Sequence, residues 1–203
     1  IKLPLSSVFT FNVGNWSNGR RSVTEKDALW YSREFRVPRQ WKGRRVMLNF
    51  GAVDWKTEVY VDGKLAGEHV GGYDPFSFDI TELLSKGKKH NLTVKVLDQT
   101  DKWYQPCGKQ IMEPHGIWYT PVSGIWQTVW LEAVGENYIE KLFTDTDINV
   151  PSVTFRVKLG KATSGYKISA KVYYEGKDMG SADVSIYGSD AVLTVNLKEK
   201  HLW

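Results

Sequence analysis

One cysteine, Cys107, stands in a chain of 203 residues, so no internal disulfide is available and no Cys-x-x-Cys pair can grip a metal. The four histidines, His69, His90, His115 and His201, are scattered without the paired spacing of a zinc site. Cys107 and His115 are near enough in sequence to suggest a nucleophile and its base, but nothing beyond proximity supports this, and a loop thiol beside a loop imidazole is the plainer account. No metal and no cofactor is expected. No apolar run reaches the length that spans a bilayer, which excludes a membrane-crossing helix from the sequence pattern. No basic segment followed by an apolar core opens the chain at Ile1. No long segment carries a helical period. Nucleic acid is not expected as a partner despite a net charge of +4. Lys86-Gly87-Lys88-Lys89 sits in a glycine turn and Arg44-Arg45 is an isolated pair, so neither makes a basic stripe interleaved with aromatics.

What the chain has in abundance is aromatic: nine tryptophans, ten tyrosines and eight phenylalanines. Such residues favour strands, and their flat faces are also what sugar rings stack on. About two thirds are assigned to core packing.

Alternation of period two recurs throughout the chain. Tyr31, Arg33, Phe35 and Val37 alternate with Trp30, Ser32, Glu34 and Arg36 until Pro38 ends the strand. Val46, Leu48 and Phe50 share a face. Thr57–Val61 leads into Asp62-Gly63, a strong hairpin signal because both central residues of a type I′ turn need positive φ, and the return strand lies near Lys64–Val70. Gly71-Gly72 breaks the pattern; Phe76, Phe78 and Ile80 resume it. Thr81 is expected to cap one helical turn through Leu84, with Glu82 early in it. Leu92, Val94 and Val96 follow, and the pattern returns at Ile125–Ala133. Between them, residues 98–122 lack any period. A loop of that length inside a compact domain is usually functional, and its aromatic content argues against disorder.

A second unit begins near Tyr138 with no linker before it. Four strand-like segments, Phe155–Leu159, Ile168–Val172, Ala182–Ile186 and Ala191–Leu197, with a turn at Glu175-Gly176-Lys177, predict an antiparallel sandwich of immunoglobulin type, four strands being too few to close one. The expectation is all-β, in two sandwich domains.

Several runs then carry a family resemblance. They are Trp30-Tyr31-Ser32-Arg33-Glu34-Phe35 leading to Val37-Pro38 and Trp41-Lys42-Gly43; Leu48-Asn49-Phe50-Gly51-Ala52-Val53-Asp54; Val59-Tyr60-Val61-Asp62-Gly63; Gly67-Glu68-His69 with Gly71-Gly72-Tyr73-Asp74-Pro75-Phe76; Phe78-Asp79-Ile80-Thr81; and Trp118-Tyr119-Thr120-Pro121-Val122-Ser123-Gly124-Ile125-Trp126-Gln127 running into Val129-Trp130-Leu131-Glu132. Their order and spacing over about a hundred residues resemble the N-terminal region of glycoside hydrolase family 2, which includes β-galactosidases, β-glucuronidases and β-mannosidases.

The resemblance implies a jelly-roll sugar-binding domain of galactose-binding type over residues 1–137. It implies an immunoglobulin-like domain over 138–203, lacking its last strand, and then a catalytic (β/α)8 barrel that this chain does not include. It places the acid/base and nucleophile carboxylates in that barrel, so no catalytic residue is expected here. Both ends are expected to be cut, leaving an edge of the second sandwich unpaired. In the family a loop of the first domain reaches the active site, and the matching stretch is 98–122. Its candidates for sugar hydroxyls are Asp101, Gln105, Lys109, Gln110 and Glu113; Trp103, Trp118 and Tyr119 are candidates for stacking. The galactosidases and glucuronidases tend to carry an acid shortly before their Ser/Ala-Gly-Ile run; here Ile117-Trp118-Tyr119 occupies that place, which leaves the sugar unassigned. Carbohydrate and the barrel are the expected partners, and a bacterial periplasmic or secreted location is expected. The triplets Asn15-Trp16-Ser17 and Asn91-Leu92-Thr93 carry no weight as glycosylation sites. A free-standing carbohydrate-binding module and a purely structural β-sandwich pair are the alternatives.

Overall fold

The computed structural model describes the backbone of residues 7–8 and residues 26–87, 89–102 and 104–202. The chain divides into two compact units between Val134 and Gly135.

The first unit is built from ten strands: β1 (Ser7–Val8), β2 (Ala28–Phe35), β3 (Arg45–Phe50), β4 (Val53–Asp54), β5 (Lys56–Val61), β6 (Lys64–Val70), β7 (Phe76–Asp79), β8 (His90–Leu97), β9 (Gly124–Ile125) and β10 (Val129–Val134). Two four-stranded antiparallel sheets, β1-β10-β3-β7 and β2-β8-β5-β6, form the sandwich, with a short β4-β9 pair at one end. The alternation seen in the sequence becomes the core: Leu48, Phe50, Val59, Val61, Leu92, Val94 and Val96 are completely buried, because alternate side chains of a strand share one face. Asp62 and Gly63 both take positive φ between β5 and β6, as the type I′ hairpin requires.

Three details depart from expectation. β2 ends at Phe35, ahead of Val37, and Arg33 is exposed although it falls on the inward parity. The strand expected over Ile125–Ala133 is split into β9 and β10. Residues 126–128 cross over Gly51 there, with the Gly51 amide donating to the Thr128 carbonyl at 2.8 Å; a Cβ on Gly51 would lie 2.7 Å from the Gln127 Cβ. Third, Thr81 does not cap the turn. The single 3-10 turn Thr81–Leu83 has no side-chain cap. Instead Asp79 Oδ1 accepts the Thr81 amide at 3.0 Å, and Thr81 Oγ1 accepts the Val46 amide at 2.8 Å. The hydroxyl is more useful tying the turn to β3 than closing a three-residue helix.

The second unit contains β11 (Ile139–Asp147), β12 (Ser152–Tyr174) and β13 (Lys177–Asn196) in one antiparallel sheet. The four segments read from the sequence are halves of two strands, 23 and 20 residues long. Register shifts at Lys158/Thr163 and Ser164/Lys167 interrupt the ladder, and Gly165 and Gly188 take positive φ there. The strands therefore bend and fold the outer hairpin back, with the Lys198 amide donating to the Met179 carbonyl at 3.0 Å. Hydrophobic alternation reports burial, which stops at a bend, whereas backbone pairing continues through it. The result is an immunoglobulin-like sandwich around Val157, Leu159, Ile186 and Leu193, and the chain as a whole is an all-β jelly roll followed by that sandwich.

Candidate functional site

The aperiodic loop leaves β8 at Leu97 and returns at β9. Its two ends are tied to one carboxylate. Asp98, 3% exposed, accepts the Thr100 amide (2.8 Å) and Gln105 Nε2 (2.6 Å) on Oδ1, and the Ser123 hydroxyl on Oδ2. Buried charge needs such compensation, and here it closes the loop at its neck. Further out the backbone crosses itself: the Tyr119 amide donates to the Lys109 carbonyl at 2.7 Å, and the Ile111 amide to the Tyr119 carbonyl at 3.2 Å. Gln110 Oε1 accepts the Val122 amide. The loop is thus an ordered excursion held by its own groups.

Against this loop lies a cleft of about 230 Å3 lined by Asp54, Tyr73, Gln110, Val122 and Trp126. Four segments contribute, Gln110 and Val122 both coming from the loop. Asp54 ends β4, where it pairs with Gly124 of β9, and the peptide that follows it is cis. Tyr73 comes from the Gly71-Gly72 turn. Trp126 follows β9, and its indole donates to the Gly72 carbonyl at 2.8 Å. The Tyr73 and Trp126 rings meet edge to face, centroids 6.1 Å apart, and both are about half exposed. Gly72 is required for close approach: a Cβ there would sit 2.6 Å from Asp54 Oδ1.

Burial, and secondarily the charge of Asp98, pushes the Asp54 carboxyl up to about 6. Its Oδ1 is buried without a hydrogen-bond partner among the described residues. An acceptor buried in this way is costly to leave unpaired.

The predicted residues divide. Gln110 lines the cleft. Gln105 is buried and holds Asp98. Asp101 accepts the Met112 amide at 3.4 Å. The Lys109 ammonium lies 5.9 Å from the Tyr119 ring centroid. Glu113 is exposed, and its carbonyl accepts His115 Nδ1 at 2.8 Å. Trp118 and Tyr119 are exposed but do not line the cleft. Trp103 lies outside the described residues. Cys107 and His115 are bonded elsewhere and not to each other. Asp54, Tyr73, Val122 and Trp126 were absent from the candidates. All four stand in the quoted motifs, and an acid ending the apolar run Ala52-Val53 was the available cue to Asp54.

Chemically the cleft offers one acid held near neutrality, an amide and two aromatic edges, a set suited to binding hydroxyls. Retaining glycoside hydrolysis needs two carboxylates flanking the bond, roughly 5–5.5 Å apart. Among the described residues that line the cleft, Asp54 is the one acid. Among the described residues no three His, Cys, Asp or Glu side chains are grouped to hold a metal, and no helix is long and apolar enough to cross a membrane.

The chain is thus an all-β protein of jelly roll and immunoglobulin-like sandwich, with a polar and aromatic cleft on the first unit. Residues 11–134 match the family model described as glycosyl hydrolases family 2, sugar binding domain, and the chain belongs to that family. It is 33% identical over 140 residues to a β-galactosidase of Thermoanaerobacter pseudethanolicus, an alignment covering 69% of this chain and 18% of that protein. To the β-glucuronidase of Rattus norvegicus it is 27% identical over 139 residues, 60% of this chain and 22% of the relative. Among solved structures, Bacteroides uniformis β-glucuronidase 2, covalently bound to cyclophellitol-6-carboxylate aziridine, superposes with a TM-score of 0.66 at 25% identity, over 87% of this chain and 22% of that one. The chain therefore spans less than a quarter of the length of these relatives.

Proposed function

We propose that the chain is the non-catalytic N-terminal part of a retaining exo-glycosidase of family 2. In this reading residues 1–137 are the sugar-binding domain and help shape the active site of a (β/α)8 barrel carried elsewhere in the protein. Residues 138–203 are an immunoglobulin-like spacer. The partners are a glycoside substrate and the barrel, and the location is periplasmic or secreted.

The observation that carries this reading is the make-up of the cleft. Its described lining joins the Asp54 carboxyl and the Gln110 amide to the half-exposed rings of Tyr73 and Trp126, and Asp54 is the one acid among those residues. Such a surface binds hydroxyls and leaves bond cleavage to groups supplied by another domain. The short span of the chain within longer hydrolases supports the same view.

A panel of nitrophenyl glycosides tests it, comparing this chain with the protein extended through its downstream reading frame. Turnover by the longer protein alone is expected, and the panel then names the sugar. Turnover by this chain, abolished by Asp54→Asn, would overturn the assignment. The exposed Tyr73 and Trp126 edges also suit a free-standing carbohydrate-binding module. Calorimetric titration of this chain separates the two: saturable affinity for an oligosaccharide, together with inactivity of the longer protein, favours the module.

A further inference from the structure

The jelly roll has a second concave end. β3 runs from one end to the other: Phe50 pairs with Phe76 and Val129 on the cleft side, while Arg45 pairs with Val134 at the far side. At the far side the β2–β3 connection, residues 36–44, and the segment after β7, residues 81–87, enclose a cavity of about 660 Å3. Its floor is apolar, formed by Val37, Trp41, Val46 and Leu84, with Trp41 only 4% exposed. Its rim carries five exposed cations, Arg36, Arg39, Lys42, Arg44 and Lys86, and none of the described lining residues is an acid.

Among the described residues none of the five forms an ion pair, though Arg36 acts at longer range on Glu34, whereas the adjacent Arg45 bonds Asp79 and Lys89 bonds Glu34. The walls are also fixed. The Trp41 amide donates to the Pro38 carbonyl and the Arg44 amide to the Trp41 carbonyl, both at 3.0 Å. His90, 2% exposed, bridges Asp62 (2.7 Å) and the Ser85 carbonyl (3.1 Å) beneath the second segment.

Size, shape and charge agree. The volume falls in the range of small-molecule sites, which join an apolar lining to a few placed polar groups. Several like charges around a low-dielectric hollow raise the local concentration of counter-ions, and guanidinium forks suit planar oxyanions. We propose that this cavity binds an organic anion with an apolar body, an aryl sulfate, sulfonate or carboxylate, at the end of the jelly roll opposite the cleft. The proposal does not rest on the glycosidase reading.

The test is fluorescence titration of this chain with 1-anilinonaphthalene-8-sulfonate, with uncharged N-phenyl-1-naphthylamine as control. One saturable site is expected, at least tenfold tighter for the sulfonate than for the neutral ring. The Arg39→Gln/Arg44→Gln pair is expected to weaken it at least tenfold, Arg39→Lys/Arg44→Lys to keep most of it, and Tyr73→Ala/Trp126→Ala to leave it unchanged. If the glutamine pair lowers the melting temperature, Lys86→Gln, in an exposed turn, replaces it with an expected loss of about threefold. Equal binding of the neutral ring, or charge variants that bind like the wild type, would overturn the proposal. So would displacement of the probe by glucuronate more readily than by phenyl sulfate, since that removes the need for an apolar body.

Discussion

The two units use the same strand pattern to different effect. Among the described residues the jelly roll gathers seventeen buried apolar side chains into one cluster, while the second unit gathers four. The difference lies in what faces each strand. β3 and β8 each lie inside a four-stranded sheet with another sheet opposite. β11 carries Ile139 and the adjacent pair Leu142 and Phe143, yet all nine of its residues are exposed, Leu142 and Phe143 by more than half. Alternation makes a strand fit to be buried, and an opposing layer is what buries it.

The strongest way to break this comparison is to delete methyl groups from both cores. Leu48→Ala, at a fully buried site, is expected to cost about 4 kcal/mol, and Leu193→Ala, in the thinner core, about 2 kcal/mol. Urea denaturation of the two variants measures this, and equal losses would show the second core to be as tightly closed as the first.

Two glycines sharpen it further. Gly124 has φ +94, and a Cβ there would lie 2.0 Å from the Tyr31 hydroxyl; Gly176 has φ +78 with nothing within 4 Å. Gly124→Ala should cost about 2–3 kcal/mol, while Gly176→Ala should cost only the left-handed backbone penalty of about 1 kcal/mol. Adding Tyr31→Phe should recover part of the first loss and none of the second. Thermal melts of the four proteins decide whether crowding or backbone conformation dominates.

One acid from each unit gives a further contrast, since Asp54 and Asp183 shift in opposite directions. Asp54 is raised to about 6 by burial and by Asp98, so the folded state holds a proton that the unfolded state releases near pH 4. Stability therefore falls as pH rises from about 4 through 6, and the full cost is present above 6. Asp54→Asn should add about 1 kcal/mol near pH 7.5, a gain that disappears below about pH 4. Asp183 in the second unit is lowered by its hydrogen bond from Ser169 and by Lys167. What it contributes is present above the ordinary aspartate range and fades as pH falls. Melting temperatures of Asp54→Asn and Asp183→Asn across that range should move with opposite slopes relative to the wild type.

The smallest expected contrast is between ion pairs. Lys95–Glu58, at 2.8 Å, is partly buried, with Lys95 also near the Trp30 ring; Lys161–Glu136, at 2.6 Å, is exposed on both sides. Glu58→Gln should cost about 1 kcal/mol and Glu136→Gln about 0.3 kcal/mol, the latter vanishing in high salt.

Local chemistry alone determined a good deal of this molecule. The apolar faces of β3, β5 and β8, the Asp62-Gly63 and Glu175-Gly176 turns, the aperiodic stretch from 98 to 122 and the ordered motifs of a family 2 sugar-binding domain are all legible in order of residues, because strand period and turn conformation depend on near neighbours. Tertiary structure alone decided the fate of individual side chains. It turned Gln105 inward to a carboxylate and Gln110 to the cleft, five residues apart on one loop. It tied Thr81 to β3, merged four segments into two bent strands and left β11 uncovered. It raised the Asp54 carboxyl by bringing Gly72, Asp98 and Trp126 around it. Burial, hydrogen-bond partnership and proton affinity are set by atoms that arrive from distant segments, and no local pattern contains them.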